Sequence, residues 1–169
     1  EAYYQSYEDK RLLIADLLFA GRASDVADDE ARGLAGHVSE QFRSKLETAI
    51  ETAEANVDRQ TVDGIEVAVL DTEAFTHRFD FPPETLLLDE LLRRLRGDVD
   101  AIVGIGEDDL HLRSEHALDV RSVAAEIAEA VPDGGVEAQS SRSQQIAFLA
   151  GRRDAVLDGA LETVAGHLA

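Results

Sequence analysis

The sequence predicts an α/β (α+β) protein: a helical arm or hairpin over residues 1–60, then a compact mixed sheet of about four to five strands with flanking helices over 61–169. Three observations carry this. Up to about residue 60, apolar residues recur every three or four positions, the period of a helix. After Asn56, two-residue alternation takes over, interleaved with short helical stretches. Finally, 44% of the 169 residues are hydrophobic, so the acidity of the chain is not accompanied by the apolar poverty of a disordered one.

Residues 3–20 carry Leu12, Leu13, Ile14, Leu17, Leu18 and Phe19 before Gly21, a helix with a glycine stop. Ser24 or Asp25 can cap the next helix by accepting from its first free amides. Its stripe runs Ala27, Ala31, Leu34, Val38, Phe42, Leu46, Ala49, Ala53, Val57. So narrow a stripe suits packing along another helix, in a hairpin or in a homodimer through residues 27–57, or resting on its own domain.

Ile65, Val67 and Val69 then alternate as a strand, and Phe75, His77, Phe79 and Phe81 predict another. Pro82-Pro83 opens a helix buried through Leu87, Leu88, Leu91, Leu92 and Leu95 and closed by Gly97. Ala101 to Ile105 and Leu110 to Arg113 read as strands around the turn Glu107-Asp108-Asp109. Asp119 caps a helix carrying Val120, Val123, Ala124, Ile127, Ala128 and Val131, which Pro132 stops. A strand from Ile146 to Leu149 and a helix from Val156 to Leu168 complete the chain.

The 16 Lys+Arg stand against 35 Asp+Glu, a formal charge of −19, and all the basic residues but Lys10 and Lys45 are arginines. This pattern predicts adaptation to molar intracellular salt, where net charge keeps a protein soluble and self-repulsion is screened. At about 1 M salt the Debye length is ~3 Å, so the charge excludes no partner, nucleic acid included, that is held by contact-range pairing. The chain has no cysteine, hence no disulfide, thiolate metal site or cysteine nucleophile. It has no apolar run of 18 residues, so no membrane association and a cytoplasmic location are expected. A start at Glu1 and the lack of methionine lead us to expect a piece of a longer product.

Gly104-Ile105-Gly106 precedes an acidic turn that would repel phosphate, and reads as hairpin geometry. Gly134-Gly135 follows a helix and precedes Ser140, Ser141 and Arg142; it is a binding loop or an ordinary turn. Arg113-Ser114 at a strand end combines a two-donor guanidinium fork with a hydroxyl, a phosphate-binding pair unless Arg113 is taken by a carboxylate. Arg142, Arg152 and Arg153 can add positive charge or merely flank a helix entrance. The five histidines, His37, His77, His111, His116 and His167, have no metal-ligand spacing, although His111 and His116 lie close to Arg113. Carboxylates are too numerous for any pair to stand out as acid and base, and there is no serine elbow, P-loop or zinc pattern.

The strand Val67-Ala68-Val69-Leu70-Asp71, the proline-led helix, a strand pair ending in Leu112-Arg113-Ser114, a helix opened by Leu118-Asp119-Val120 and then Gly134-Gly135 together resemble the carboxy-terminal domain associated with DHH-family phosphoesterases. That superfamily includes RecJ-like exonucleases, oligoribonucleases, cyclic-dinucleotide phosphodiesterases and pyrophosphatases. The resemblance covers roughly 62–169. It implies a substrate-binding domain contacting a nucleotide or single-stranded nucleic acid through Arg113, Ser114, Gly134 and Gly135, to which Arg142 would add its charge as a further phosphate-binding residue. It also implies a partner amino-terminal DHH domain holding two divalent metals, manganese or magnesium, with residues 1–60 as linker. This sequence has Asp133-Gly134-Gly135-Val136 where the family has Gly-Gly-Gly-His, His111 where a serine is common, and no Asp-His-His, so the chain alone is expected to bind no cofactor and to be inactive. The alternative is a degenerate, non-catalytic interaction or dimerisation module that uses its long amphipathic helix.

Overall fold

The computed structural model describes residues 34–76, 82–139 and 144–169. The chain divides into two compact units, Glu1–Thr48 and Ala49–Ala169. The division falls earlier than the change of texture near residue 60. The described part of the first unit is helical and belongs to α1, Leu34–Glu54, whose residues from Ala49 onward fall in the second unit. Phe42 and Leu46 are half-buried while Arg43, Ser44, Glu47 and Thr48 are exposed, so the amphipathic pattern persists there. Val57 lies past the helix end. The helix expected over residues 3–20, its successor's cap and the stripe positions Ala27 and Ala31 lie outside the described residues.

In the second unit, β1 (Asp58–Val62) and β2 (Ile65–Asp71) form a hairpin. Its two-residue turn, Asp63-Gly64, has φ of 51° and 88°, the left-handed pair that matches strand twist. Then follow α2 (Thr72–Thr76), α3 (Glu84–Arg94), β3 (Ala101–Ile105), β4 (Asp109–Ser114), α4 (Val120–Ala130), a 3₁₀ turn (Pro132–Gly134), β5 (Glu137–Ala138), β6 (Gln145–Ala147) and α5 (Arg153–Leu168). The six strands form one mixed sheet in the order β1-β2-β3-β4-β6-β5. Only β2 and β3 run parallel, as a crossover through α3 requires; every other pair is antiparallel.

The six strands compare with the expected four to five, and the two not placed by the sequence pattern are β1, polar and on the edge, and β5, only two residues long. The strand expected from Phe75 is corrected to a helical turn. Asp71 Oδ1 accepts from Ala74 N at 2.9 Å and so opens α2, in which Phe75 is buried. His77, Phe79 and Phe81 lie outside the described residues.

Strand alternation sorts the core into two layers. Val67, Val69, Ala101, Val103, Ile105, Leu110 and Leu112 face Val123, Ile127, Val156, Ala160 and Val164 of α4 and α5. Ala68, Leu70 and Ile102 are buried on the other face, that of α3 with Leu87, Leu88 and Leu91. At the end of α1, Glu54 pairs with Arg94 of α3 at 3.5 Å. The expected punctuation is present: Gly97 has φ 83°, and Asp119 Oδ1 accepts from Arg121 N at 3.1 Å. No helix among the described residues is long and apolar enough to cross a membrane.

Candidate functional site

Side chains on a strand point alternately to opposite faces. With Leu110 and Leu112 committed to the α4/α5 core, Asp109, His111 and Arg113 of β4 must face the other layer, that of α3. Glu84 in the first turn of α3 and Asp89 one and a half turns later meet them there. Two polar groupings result, one toward each end of β4.

The first is Glu84, Asp109 and His111, whose donor atoms all lie within 4.8 Å of one another. His111 Nε2 is 3.2 Å from Asp109 Oδ2 and 3.7 Å from Glu84 Oε2, and the imidazole is only 8% exposed. Gln145, paired with His111 across β4 and β6, donates its Nε2–H to Asp109 Oδ2 at 2.9 Å. Glu84 Oε1 is buried without a hydrogen-bond partner. Burial pushes the Glu84 carboxyl above its ordinary value, and the Asp109 charge adds to the rise; His111, the Thr72 hydroxyl and Arg113 oppose it. Burial of this kind favours the protonated carboxyl.

Two glycines make the room. Gly104 lies opposite His111 in the β3–β4 register, and a β-carbon there would come within 2.7 Å of Leu88 Cδ1 and 3.0 Å of Thr72 Cγ2. Gly106 opens the space occupied by the Asp109 carboxylate. The Gly104-Ile105-Gly106 segment thus serves close packing around this grouping. Behind it, Arg153 ties the carboxyl ends of β2 and β3 together. Its Nη2 lies 2.8 Å from Asp71 Oδ2, and its Nε–H donates to Gly106 O at 3.0 Å.

The second grouping is the sequence-predicted Arg113-Ser114. Arg113 Nε–H donates to Asp89 Oδ1 and its Nη1–H to Leu112 O at 2.7 Å; the side chain is 11% exposed, against 59% for Asp89. Ser114 Oγ donates to Asp100 O at 3.0 Å and accepts from His116 N at 3.1 Å, an arrangement that closes the strand end.

Gly134-Gly135 lies elsewhere. Gly134 O accepts from Leu149 N, and Gly135, with φ 59°, packs against the Leu149 side chain, level with the start of β4 rather than with Arg113. At ~3.4 Å per residue the span from Asp109 to Arg113 is roughly 14 Å, so the structure does not bring Arg113 and these glycines together. The surface groove beside them is lined by Asp133, Asp158, Glu162 and Arg152, and Arg152 is paired with Asp133 at 3.0 Å. Arg142 lies outside the described residues. His167 pairs with Glu126 at 3.0 Å.

The residues that sequence reasoning missed are Glu84, Asp109 and, as a member of a cluster, His111. The available signal was Asp109-x-His111, two positions apart on a strand and therefore on one face. Its counterpart Glu84 comes from a helix 25 residues earlier, and only the crossover reveals it.

No protein-family model matches the sequence, and no curated protein does. Among solved structures the chain is similar to one described as a member of the s1p family of ribosomal proteins, DHH domain, with a TM-score of 0.63 and 23% identity. The match covers 79% of this chain and 33% of that one, so the chain spans about a third of the length of the solved protein it matches. The mixed sheet with its flanking helices is therefore a fold shared with part of a DHH-domain protein.

Proposed function

We propose that this chain is a substrate-binding or accessory domain of a DHH-type metal-dependent phosphoesterase acting on nucleotides or single-stranded nucleic acid in a salt-rich cytoplasm. The observation that carries the reading is the fold likeness to part of a protein described by its DHH domain. Two-metal phosphoester hydrolysis needs ligands that activate water and clamp both oxygens of the displacement. In this reading the manganese or magnesium sits on Asp and His side chains of a separate DHH domain, and this chain contributes Arg113 at a strand end. Support for that contact comes from the exposure of Asp89: a phosphate oxygen can replace this carboxylate at the Arg113 fork without unburying a charge. Mononucleotide and oligonucleotide binding, measured in molar KCl for the wild type and Arg113→Ala, tests it. Binding that weakens on substitution supports the contact, and equal affinities remove Arg113 from the site.

A second reading, a non-catalytic interaction module, is favoured by a different observation. Arg113 and Arg152 already hold Asp89 and Asp133, and the Phe42/Leu46 face continues an apolar stripe on α1. Light scattering with Leu46→Asp tests this one. A wild-type dimer that the substitution dissociates supports it, and a monomer that binds nucleotide sinks it.

A further inference from the structure

We infer that Glu84, Asp109 and His111 form a binding site for one divalent transition-metal ion of the zinc or cobalt class. This site is separate from the phosphate contact proposed above and does not depend on it.

Donor spacing is the first argument. Metal–nitrogen and metal–oxygen bonds of about 2.0–2.2 Å in a tetrahedron place neighbouring donors ~3.4 Å apart. The observed 3.2 Å from His111 Nε2 to Asp109 Oδ2 and 3.7 Å to Glu84 Oε2 bracket that edge, with all three donors inside 4.8 Å. Two of the three edges thus lie within a few tenths of an ångström of the tetrahedral value.

Charge and burial point the same way. Two carboxyl groups converge on one imidazole in a largely enclosed place, and Arg113, a guanidinium on this face of β4, is paired with Asp89. Carboxylate oxygens and an imidazole nitrogen are the donors a divalent transition metal takes. The buried Glu84 Oε1 has no hydrogen-bond partner within the protein, and a cation bound by this carboxylate would satisfy it.

The surroundings resemble the outer shell of a built site. Gln145 orients the Asp109 carboxylate from behind, and the Thr72 hydroxyl faces Glu84. The cluster also lies at the carboxyl ends of the parallel strands β2 and β3, at the first turn of their crossover helix, the side on which open α/β sheets bind their ligands. An imidazole among the ligands selects zinc or cobalt over calcium and magnesium, which take all-oxygen sets. Three protein ligands leave one position for water or for a substrate atom, the arrangement of an open zinc site.

The test is a Co²⁺ titration of the full chain, stripped with a chelator and held in molar KCl so that the acidic surface is screened. One equivalent of Co²⁺ is expected to give the intense visible bands of four-coordinate cobalt, displaced by Zn²⁺. Glu84→Gln and Asp109→Asn should each weaken affinity by roughly tenfold or more, while Glu162→Gln, on an exposed surface, leaves it unchanged. Circular dichroism checks that each variant is folded. The ¹⁵N resonances of the His111 imidazole in the wild type give a readout that needs no variant, and they should shift on adding one equivalent of Zn²⁺. Unmoved His111 resonances, or Co²⁺ affinity equal in the wild type and a folded Glu84→Gln, would overturn the assignment.

Discussion

A β-carbon at Gly106 would stand 2.2 Å from Asp109 Oδ1, so the absence of a side chain at one residue fixes where the carboxylate of the other can lie. Gly104, two residues earlier, has the same role toward different neighbours, Leu88 and Thr72. The two glycines therefore separate stability from site geometry.

Gly106→Ala collides with the end of a flexible side chain, which can swing away. We expect a stability change under about 1 kcal/mol, together with loss of the contacts from Asp109 to His111 and Gln145 and hence weaker Co²⁺ binding. Gly104→Ala instead pushes on the fully buried Leu88, and overpacking of this kind costs typically ~1–3 kcal/mol. Urea denaturation paired with a cobalt titration on both variants checks the contrast.

Glu84 gives a pH signature in the metal-free protein. Its carboxyl is raised by burial, so the folded state favours the protonated form. The stability associated with that form is fully present below the ordinary carboxyl value and is lost as pH rises through the folded value. Glu84→Gln mimics the protonated form permanently. Its melting temperature should match the wild type near pH 4 and exceed it by a few degrees at pH 8, measured by calorimetry in the presence of chelator. An unchanged difference across that range would mean that burial does not raise the Glu84 carboxyl.

Asp89 competes with any phosphate for Arg113. Removing its charge with Asp89→Asn should tighten nucleotide binding by about two- to fivefold, the scale of an exposed ion pair. The gain should vanish in the double variant with Arg113→Ala, and a titration in molar KCl reads both.

The net charge of −19 leads to a salt prediction. Self-repulsion among surface carboxylates is screened as ionic strength rises. The melting temperature should therefore climb between dilute buffer and molar KCl; a melting temperature indifferent to KCl would remove the high-salt reading.

Helix α4 with its Asp119 cap, helix α3 after Pro82-Pro83, and the strands at Ile65 and Ala101 were legible because each rests on local spacing or capping chemistry. The β1–β2 hairpin was missed although Asp63-Gly64 is a strong turn signal, because β1 is too polar to show alternation. Phe75 was misread because an aromatic at every second position imitates a strand, while the capping oxygen of Asp71 decides locally for a helical turn. The site was less legible than the fold. Arg113-Ser114 was found as a motif, but its partner Asp89 comes from another element. Glu84 and Asp109 were hidden among 35 acidic residues and are distinguished only by what buries them.

The sheet ends on one side in β1, whose residues before Val62 are all polar or charged, and on the other in β5, two residues long. An incoming chain that adds itself as a further strand needs a long, flat row of free amides and carbonyls with apolar side chains to seat beside them. Neither border offers this. A macromolecule that recognises this protein is therefore expected to grip its helices and loops, and crowding should not drive one sheet to zip onto the next.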